Sequence, residues 1–241
     1  MPRIAIMSDI HGNFEALKEV FRDLDKRDVT ETYCLGDMVG YGPQPRECVD
    51  LLRERGVECT MGNHEQGLIN IHYLRRFNQP AADALRWTRE AIDRETYDWL
   101  TSRHKSIVAH GCRMVHGMPP DSVNEYLWRH RHRMAEVFAD FAEPICFVGH
   151  THDLKRYVHR GGVCEERPLE VGATELEPDC RHLINVGAVG QPRDGDNRAK
   201  YLIFDTDKKV IDLHAVPYDI RKTADLIAHS GLHRGFADRL W

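Results

Sequence analysis

Residues 3–13 read RIAIMSDIHGN, a short apolar run that ends abruptly in polar residues. The apolar run has the length and composition of a buried strand. Apolar side chains then recur at helical spacing across residues 14–24, which predicts a helix directly after the polar turn. The chain therefore opens with a strand, a polar loop that carries Asp9 and His11, and a helix.

The same arrangement returns twice further along the chain. Residues 32–35 form an apolar run that leads into GDMVGYGP and a helical pattern over residues 45–55, and a third run, residues 57–61, leads into GNHE. Strands that alternate with helices predict an α/β fold with parallel pairing at its start. Residues 65–103 are mostly helical in pattern. The later chain is rich in predicted strands, at residues 106–109, 113–116, 145–148, 155–159, 162–167, 182–186, 199–205 and 210–216.

The length fits one large or two small domains, and the lack of a linker, low-complexity segment or internal repeat favours a single domain over residues 1–241. The chain has 33 Lys and Arg against 38 Asp and Glu, a formal net charge of -5, which does not indicate a nucleic-acid-binding surface. The seven cysteines are odd in number and include no CxxC pair, so we expect reduced thiols. The opening residues do not resemble a signal peptide and no apolar stretch approaches a membrane span. A cytoplasmic protein with no membrane partner is expected.

Polar clusters follow the apolar runs at five places. In α/β sheets, ligands bind beyond the carboxyl ends of the strands, so these clusters are expected to share one site. The candidate residues are two carboxylates, one amide and four imidazoles: Asp9, His11, Asp37, Asn63, His116, His150 and His152.

Seven such ligands are too many for one metal ion, because a zinc site usually takes three or four. They suit two ions if one carboxylate bridges them, and Asp37, alone in its cluster, is the natural bridge. The DxH and HxH spacings would place alternate side chains on one side of an extended backbone, so that both members of each pair face one ion.

The charge of such a site favours phosphate chemistry. Two divalent ions bring four positive charges, and Asp9, Asp37 and a bridging hydroxide remove three of them. Asn63 can bind a metal without cancelling charge. The remaining positive charge suits an anionic ester, and two ions can activate a bridging water for attack on phosphorus.

The blocks SDIHGN, GDMVGYGP, GNHE, VHG and GHTH together resemble the five sequence motifs of the calcineurin-like metallophosphoesterases. The later segment INVGAVGQPRDGDNRAKYLIFD resembles the small bacterial and archaeal phosphodiesterase branch. The resemblance implies a four-layer α-β-β-α sandwich with two mixed sheets.

The resemblance also assigns roles to the candidate residues. It places one metal on Asp9, His11, Asp37 and His152, and the other on Asp37, Asn63, His116 and His150. His64 would lie beside the metals without binding them and would act as the catalytic proton donor.

Departures from the family pattern narrow the expectation. Protein serine/threonine phosphatases carry GDxVDRG, whereas this chain has Gly40 and Tyr41 in place of its Asp and Arg. That difference argues against a protein phosphatase. Arg193 is a candidate for substrate binding, although a turn-closing surface role fits equally well, and Tyr41 could line the pocket or pack in its loop. Residues 68–103 have no clear counterpart in the shortest family members and are a candidate helical lid.

These features predict a binuclear phosphoesterase, and most specifically a phosphodiesterase that acts on a small phosphate ester. Two divalent transition-metal ions are expected, with manganese favoured and iron, zinc, nickel or cobalt as alternatives. Two other functions stay open: a protein-binding scaffold with weak catalysis, as in the retromer subunit of this fold, and a nuclease for which nucleic acid is the substrate. The sequence leaves the oligomeric state open.

Overall fold

Two mixed β-sheets of six strands each face one another in the computed structural model, which describes residues 2–241. The strand order is β3-β2-β1-β11-β12-β9 in the first sheet and β4-β5-β6-β10-β7-β8 in the second. The strands are β1 Arg3–Met7, β2 Glu31–Cys34, β3 Glu58–Cys59, β4 Ser106–Ala109, β5 Cys112–Val115, β6 Ile145–Val148, β7 Leu154–Arg160, β8 Val163–Pro168, β9 Gly172–Glu175, β10 Arg181–Val186, β11 Ala199–Asp205 and β12 Val210–Val216.

The two sheets divide the apolar core into three layers, one between them and one on the outer face of each. This division arises because successive side chains of a strand point to opposite faces of its sheet. In β1, Ile4 and Ile6 face the second sheet, whereas Ala5 and Met7 face the helices on the outside. In β6, Phe147 faces the space between the sheets, and its neighbours Cys146 and Val148 face the outer helix of that side. Both faces of these central strands are buried, which explains their continuous apolar sequence.

Helices cover the outer face of each sheet. The first helix begins where the side chain of Asn13 accepts a hydrogen bond from Ala16 N. Its apolar residues Leu17, Val20 and Phe21 recur at helical spacing and pack on the first sheet. The α-helices are α1 Phe14–Leu24, α2 Pro45–Glu54, α3 Asn63–Ile69, α4 Gln79–Ala91, α5 Arg94–Thr101, α6 Met134–Ala139, α7 Ile220–Ser230 and α8 Gly235–Asp238, and two 3-10 helices span Ile71–Arg76 and Leu127–Arg133.

The four-layer sandwich implied by the family resemblance is therefore confirmed. Most strand predictions hold to within a residue or two, but β9 was not predicted. This strand pairs with β12 through its backbone at the edge of the first sheet, and its sequence GATE has no apolar alternation to reveal it. The predicted third strand is also shorter, spanning only Glu58–Cys59, and the next two residues contact His104 instead. Among residues 2–241, no helix is long and apolar enough to cross a membrane.

The topology brings six strand ends together. In the first sheet β1, β2 and β3 run parallel, and in the second β5, β6 and β10 do so. Backbone hydrogen bonds tie the two groups of ends: Val189 N donates to Ser8 O at 2.9 Å, and Gly190 N donates to Asp9 O at 2.9 Å. The loops after these strands therefore meet at one edge of the sandwich.

The burial of the cysteines gives a first testable prediction. Cys34, Cys48 and Cys146 are fully buried, and burial raises the pKa of each of these thiols. Cys164 and Cys180 are partly exposed. Titration of the folded protein with an aromatic disulfide reagent should modify these two thiols within minutes. All seven cysteines should react after denaturation, without added reductant. Rapid reaction of more than two thiols in the folded protein would contradict the packing described above.

Candidate metal centre

Left-handed backbone marks the loops that carry the candidate ligands. Asp9, His11, Asp37, His150 and His152 have φ values of 55°, 50°, 49°, 67° and 60°. Side chains other than glycine rarely adopt this conformation, which costs free energy wherever it occurs. Because five such residues meet at one edge of the sheets, the surrounding hydrogen bonds must hold the loops in place.

The first group of polar side chains contains Asp9, His11 and His152, all of them buried. His152 Nε2 lies 3.1 Å from His11 Nε2 and 3.1 Å from Asp9 Oδ1. His11 Nε2 lies 3.7 Å from the same carboxylate oxygen. The other oxygen of Asp9 accepts a hydrogen bond from His150 N, whereas Oδ1 has no hydrogen-bond partner among the described residues.

The second group contains Asp37, Asn63, His116 and His150. His116 Nε2 lies 3.2 Å from Asp37 Oδ2, 3.0 Å from Asn63 Oδ1 and 3.1 Å from His150 Nδ1. These four side chains come from the ends of β2, β3, β5 and β6. The second group is therefore assembled from both sheets.

Asp37 joins the two groups. Its Oδ2 atom lies 3.2 Å from His116 Nε2 on one side and 3.8 Å from His11 Nε2 on the other. Its Oδ1 atom accepts a hydrogen bond of 2.8 Å from His64 N, which fixes the orientation of the carboxylate. One oxygen of Asp37 thus faces both groups, as expected of a bridging ligand.

Backbone carbonyls fix the tautomer of each histidine in the two groups. In each ring one nitrogen contacts a backbone carbonyl, which can only accept a hydrogen bond, so this nitrogen must carry the proton. The other nitrogen then presents its lone pair to the centre of its group. The contacts are His11 Nδ1 to Val39 O at 3.2 Å, His116 Nδ1 to Leu35 O at 2.9 Å, His150 Nε2 to Asn124 O at 3.2 Å, and His152 Nδ1 to Gln191 O at 2.5 Å.

These tautomers fit a cation in each group. In the neutral forms, the lone pairs of His11 and His152 point at one another across 3.1 Å, as do those of His116 and His150. Two facing lone pairs repel unless a proton or a metal ion lies between them. Asp9 Oδ1 is buried and accepts no hydrogen bond from residues 2–241, so a cation beside it would also compensate its negative charge. The donor set of imidazole nitrogens and carboxylate oxygens suits divalent transition metals.

The pKa shifts of the buried side chains also reflect the close contact of carboxylate and imidazole groups in the centre. Burial would raise the pKa of Asp37, but the charges of His116 and His64 hold it well below its usual value. Burial lowers the pKa of His116, yet the Asp37 carboxylate outweighs it and raises that pKa to about 9. Burial, with the charge of His116, lowers the pKa of His150 to about 3. The buried Asp37 carboxylate thus favours positive charge at the centre of the second group.

Glu65 supports the centre and was not singled out from the sequence. Its carboxylate is fully buried and accepts three backbone hydrogen bonds, from Asp37 N at 2.9 Å, Met38 N at 2.9 Å and Gly62 N at 2.8 Å. The fourth position of GNHE was the available signal, because a glutamate three residues after Gly62 fits a capping pattern at a helix start. Glu65 therefore locks the loop after β2 to the start of α3.

His64 differs from the other histidines of the centre. Its ring is buried, and no backbone carbonyl holds it within residues 2–241. It makes edge contacts with the rings of His11, Tyr41 and Phe77 at centroid distances of 4.6, 4.6 and 5.2 Å. Its Nε2 lies 3.9 Å from Asp37 Oδ2, so proximity alone would allow it to bind a metal.

Gly40 explains how His64 can occupy this place. A Cβ atom at Gly40 would lie 2.1 Å from His64 Nδ1, and the φ of Gly40 is 85°. The glycine that departs from the protein phosphatase motif is thus required by the position of His64.

A cleft of about 330 Å³ opens above the centre. Asp37, Asn63, His64, His150 and His152 lie on its floor, and both predicted substrate-contacting residues, Tyr41 and Arg193, line it. The walls add side chains that the sequence did not suggest for the site. These are Tyr73, Arg76, Phe77, Asn78, Ala81, Asn124, Tyr126 and Arg129.

Comparison with known proteins identifies the family. Residues 2–161 match the family described as calcineurin-like phosphoesterase. The chain belongs to this family.

Relatives extend the match over the whole chain. An uncharacterized protein of Methanocaldococcus jannaschii is 34% identical over 248 residues, which cover 99% of this chain and 97% of that protein. A metallophosphoesterase from Sphaerobacter thermophilus has a similar crystal structure, with a TM-score of 0.84, 36% identity and coverage of 99% and 98% of the two chains. A hypothetical protein from Pyrococcus horikoshii OT3 shares the fold with a TM-score of 0.77 at 18% identity, covering 100% of this chain and 98% of that one.

The structure brings together all seven ligand residues that the sequence suggested, but not by the expected local geometry. The spacing argument was wrong for HxH, because His150 belongs to the second group and His152 to the first. The left-handed backbone of the DxH and HxH loops, rather than an extended one, directs these side chains. Asn63 and His64 are the first residues of helix α3.

Glu65→Gln provides a test of the support beneath the metal groups. An amide places an N–H group against at least one of the three backbone donors, so the Asp37 loop should loosen. Loss of such a supporting partner typically lowers metal affinity roughly 10–100-fold. Metal titration should show this loss, while Glu95→Gln, the same change at an exposed residue, should leave the affinity unchanged. Equal affinities of both variants would show that Glu65 does not hold the ligands.

Proposed function

We propose that this protein is a binuclear metal-dependent phosphodiesterase that hydrolyses a small phosphate ester. The observation that carries the proposal is the pair of imidazole groups whose lone pairs meet on either side of Asp37 Oδ2. When bound, two divalent ions would activate a water molecule for attack on phosphorus and balance the charge of the phosphate. Manganese is the favoured ion, with iron, zinc, nickel or cobalt as alternatives.

Each of the two groups of side chains would bind one of these ions. Asp9, His11 and His152 would hold one ion, and Asn63, His116 and His150 the other, with Asp37 shared between them. Asn63 contributes an oxygen without a negative charge, which leaves the centre more attractive to an anionic ester. A protein-binding scaffold would have no need for seven matched donors, six of which are oriented by hydrogen bonds to the backbone.

His64 would donate a proton to the leaving oxygen. As the bond between phosphorus and this oxygen breaks, the oxygen gains charge that a proton neutralises. His64 lines the cleft and has no carbonyl partner, so its ring is free to meet a substrate. The contacts with Tyr41 and Phe77 orient the ring toward the space above Asp37.

The segment proposed as a helical lid, residues 68–103, would shape specificity. It contributes Tyr73, Arg76, Phe77, Asn78 and Ala81 to the wall of the cleft. Most of these side chains lie on or directly after the 3-10 helix Ile71–Arg76, while α4 and α5 pack on the core behind it. The lid would therefore act through a short stretch of its length.

Two substitutions separate the proton donor from the ligands. His64→Ala should lower kcat by ~10²–10⁴-fold for an ester with a poor leaving group, the usual range for general acid catalysis, and should keep two metal ions per chain. The loss should shrink for p-nitrophenolate, which leaves without a proton. Asp37→Asn should lose metal together with activity. Elemental analysis beside the rate constants decides the matter, because metal loss in His64→Ala would make His64 a ligand.

The substrate class can be tested with simple esters. Bis-p-nitrophenyl phosphate should be hydrolysed in the presence of manganese, because its single negative charge and activated leaving group match the proposed centre. Phosphoserine peptides should be poor substrates, since Tyr41 replaces the phosphate-binding arginine of the protein phosphatases. Efficient release of phosphate from such peptides would refute this reading of Tyr41.

A further inference from the structure

Three arginines converge on the mouth of the cleft from separate parts of the chain. Arg76 ends the first 3-10 helix, Arg129 belongs to the second, and Arg193 lies in the loop after β10. All three are exposed, whereas the metal-binding groups on the floor are buried. None of the three forms a salt bridge with a carboxylate in the part of the chain that the structure describes. The mouth therefore carries three positive charges that the protein does not neutralise.

Contacts with aromatic rings and one hydrogen bond position the three guanidinium groups, but leave most of their N–H donors unpaired among the described residues. The Arg76 guanidinium lies 5.7 Å from the centre of the Tyr73 ring, and that of Arg129 lies 5.5 Å from the Tyr126 ring. Arg193 Nη2 donates one hydrogen bond of 3.2 Å to the side chain of Gln191. A guanidinium has five N–H donors, so each group keeps most of its donors for a ligand.

Tyr73 adds an independent observation. Its hydroxyl is buried and has no hydrogen-bond partner among residues 2–241, although its ring lines the same cleft. A buried hydroxyl without a partner is costly, and an acceptor oxygen on a ligand in the cleft would satisfy it. The hydroxyl and the three guanidiniums together call for a ligand that is both negatively charged and rich in oxygen.

We infer that the substrate carries a second phosphate group in addition to the one that is hydrolysed. This inference rests on the proposed function, in which the scissile phosphate lies on the buried floor above Asp37. The exposed arginines would then hold a second anion at the mouth. Arginine suits this role because its planar group binds phosphate oxygens through two parallel hydrogen bonds. The second phosphate could stand on a sugar or continue as a phosphoanhydride chain, and both share this chemistry.

A pair of matched substrates tests the inference. Thymidine 5′-(p-nitrophenyl phosphate) and its 3′-phosphorylated form differ only in the second phosphate. In the presence of manganese, kcat/KM should be about tenfold or more higher for the phosphorylated form, because a charge-assisted hydrogen bond is worth at least roughly that factor. This preference should weaken as salt increases.

Charge-removing variants show which residues create the preference. In the triple variant Arg76→Gln, Arg129→Gln, Arg193→Gln the ratio of the two kcat/KM values should fall to about one. Arg75→Gln removes the same charge from the neighbouring exposed residue, which does not line the cleft, and should keep the ratio of the unchanged protein. All variants should keep their melting temperature, since the changed side chains are exposed.

Binding measurements provide a readout besides activity and separate the two sources of the second phosphate. Calorimetry should show tighter binding of thymidine 3′,5′-bisphosphate, if the phosphate stands on a sugar, or of thymidine 5′-diphosphate, if it belongs to a chain, than of thymidine 5′-phosphate. Either result supports the inference.

The possible failures can be told apart. If bis-p-nitrophenyl phosphate is hydrolysed but the two thymidine esters react equally, the second-phosphate site is refuted and the proposed function stands. If no ester is hydrolysed with any metal, the proposed function fails, and the binding measurements still decide the role of the arginines. A preference for long single-stranded oligonucleotides over the bisphosphate ester would overturn the proposed small substrate, because the second phosphate would then belong to a nucleic acid.

Discussion

The centre of this protein depends on one unfavourable arrangement: imidazole lone pairs that face each other at close range inside a buried site. One nitrogen of each ring contacts a backbone carbonyl, which accepts a hydrogen bond from it and directs the other nitrogen to the centre. The carbonyls come from loops of both sheets, so the sandwich must hold these loops at fixed distances from one another. A cation relieves the repulsion, so this arrangement favours an occupant with positive charge.

The rest of the architecture can be understood as support for that arrangement. Parallel strands bring their carboxyl ends to one edge, and left-handed residues such as Asp9 and Asp37 turn the ligands inward over a very short length of chain. Glu65 joins the backbone of two loops with three hydrogen bonds. The left-handed residues lower the local stability of the backbone. The extensive apolar layers on both faces of the central strands offset this cost.

The sequence allowed the fold class and the composition of the centre to be predicted, because both depend on local patterns. Apolar runs followed by polar residues located the central strands and the seven candidate ligand residues. The left-handed loops could not be predicted from spacing, since φ values such as that of His152 are imposed by tertiary hydrogen bonds. Strand β9 lacked an apolar pattern, and Glu65 was overlooked because its partners are backbone groups of distant loops. The walls of the cleft, including Arg76 and Arg129, depend on packing between segments that no local motif connects.

The distribution of the donors along the chain has a consequence for biosynthesis. Asp9 emerges from the ribosome at the very beginning, whereas the carbonyl of Gln191 that orients His152 emerges after most of the polypeptide has been made. The last central strand, β11, which pairs with β1, comes later still. The nascent chain therefore exposes its first half of the coordination sphere long before the second half exists. Under the proposed function, the ions would therefore be acquired after synthesis, and their identity would reflect the cellular pool met by an already folded protein.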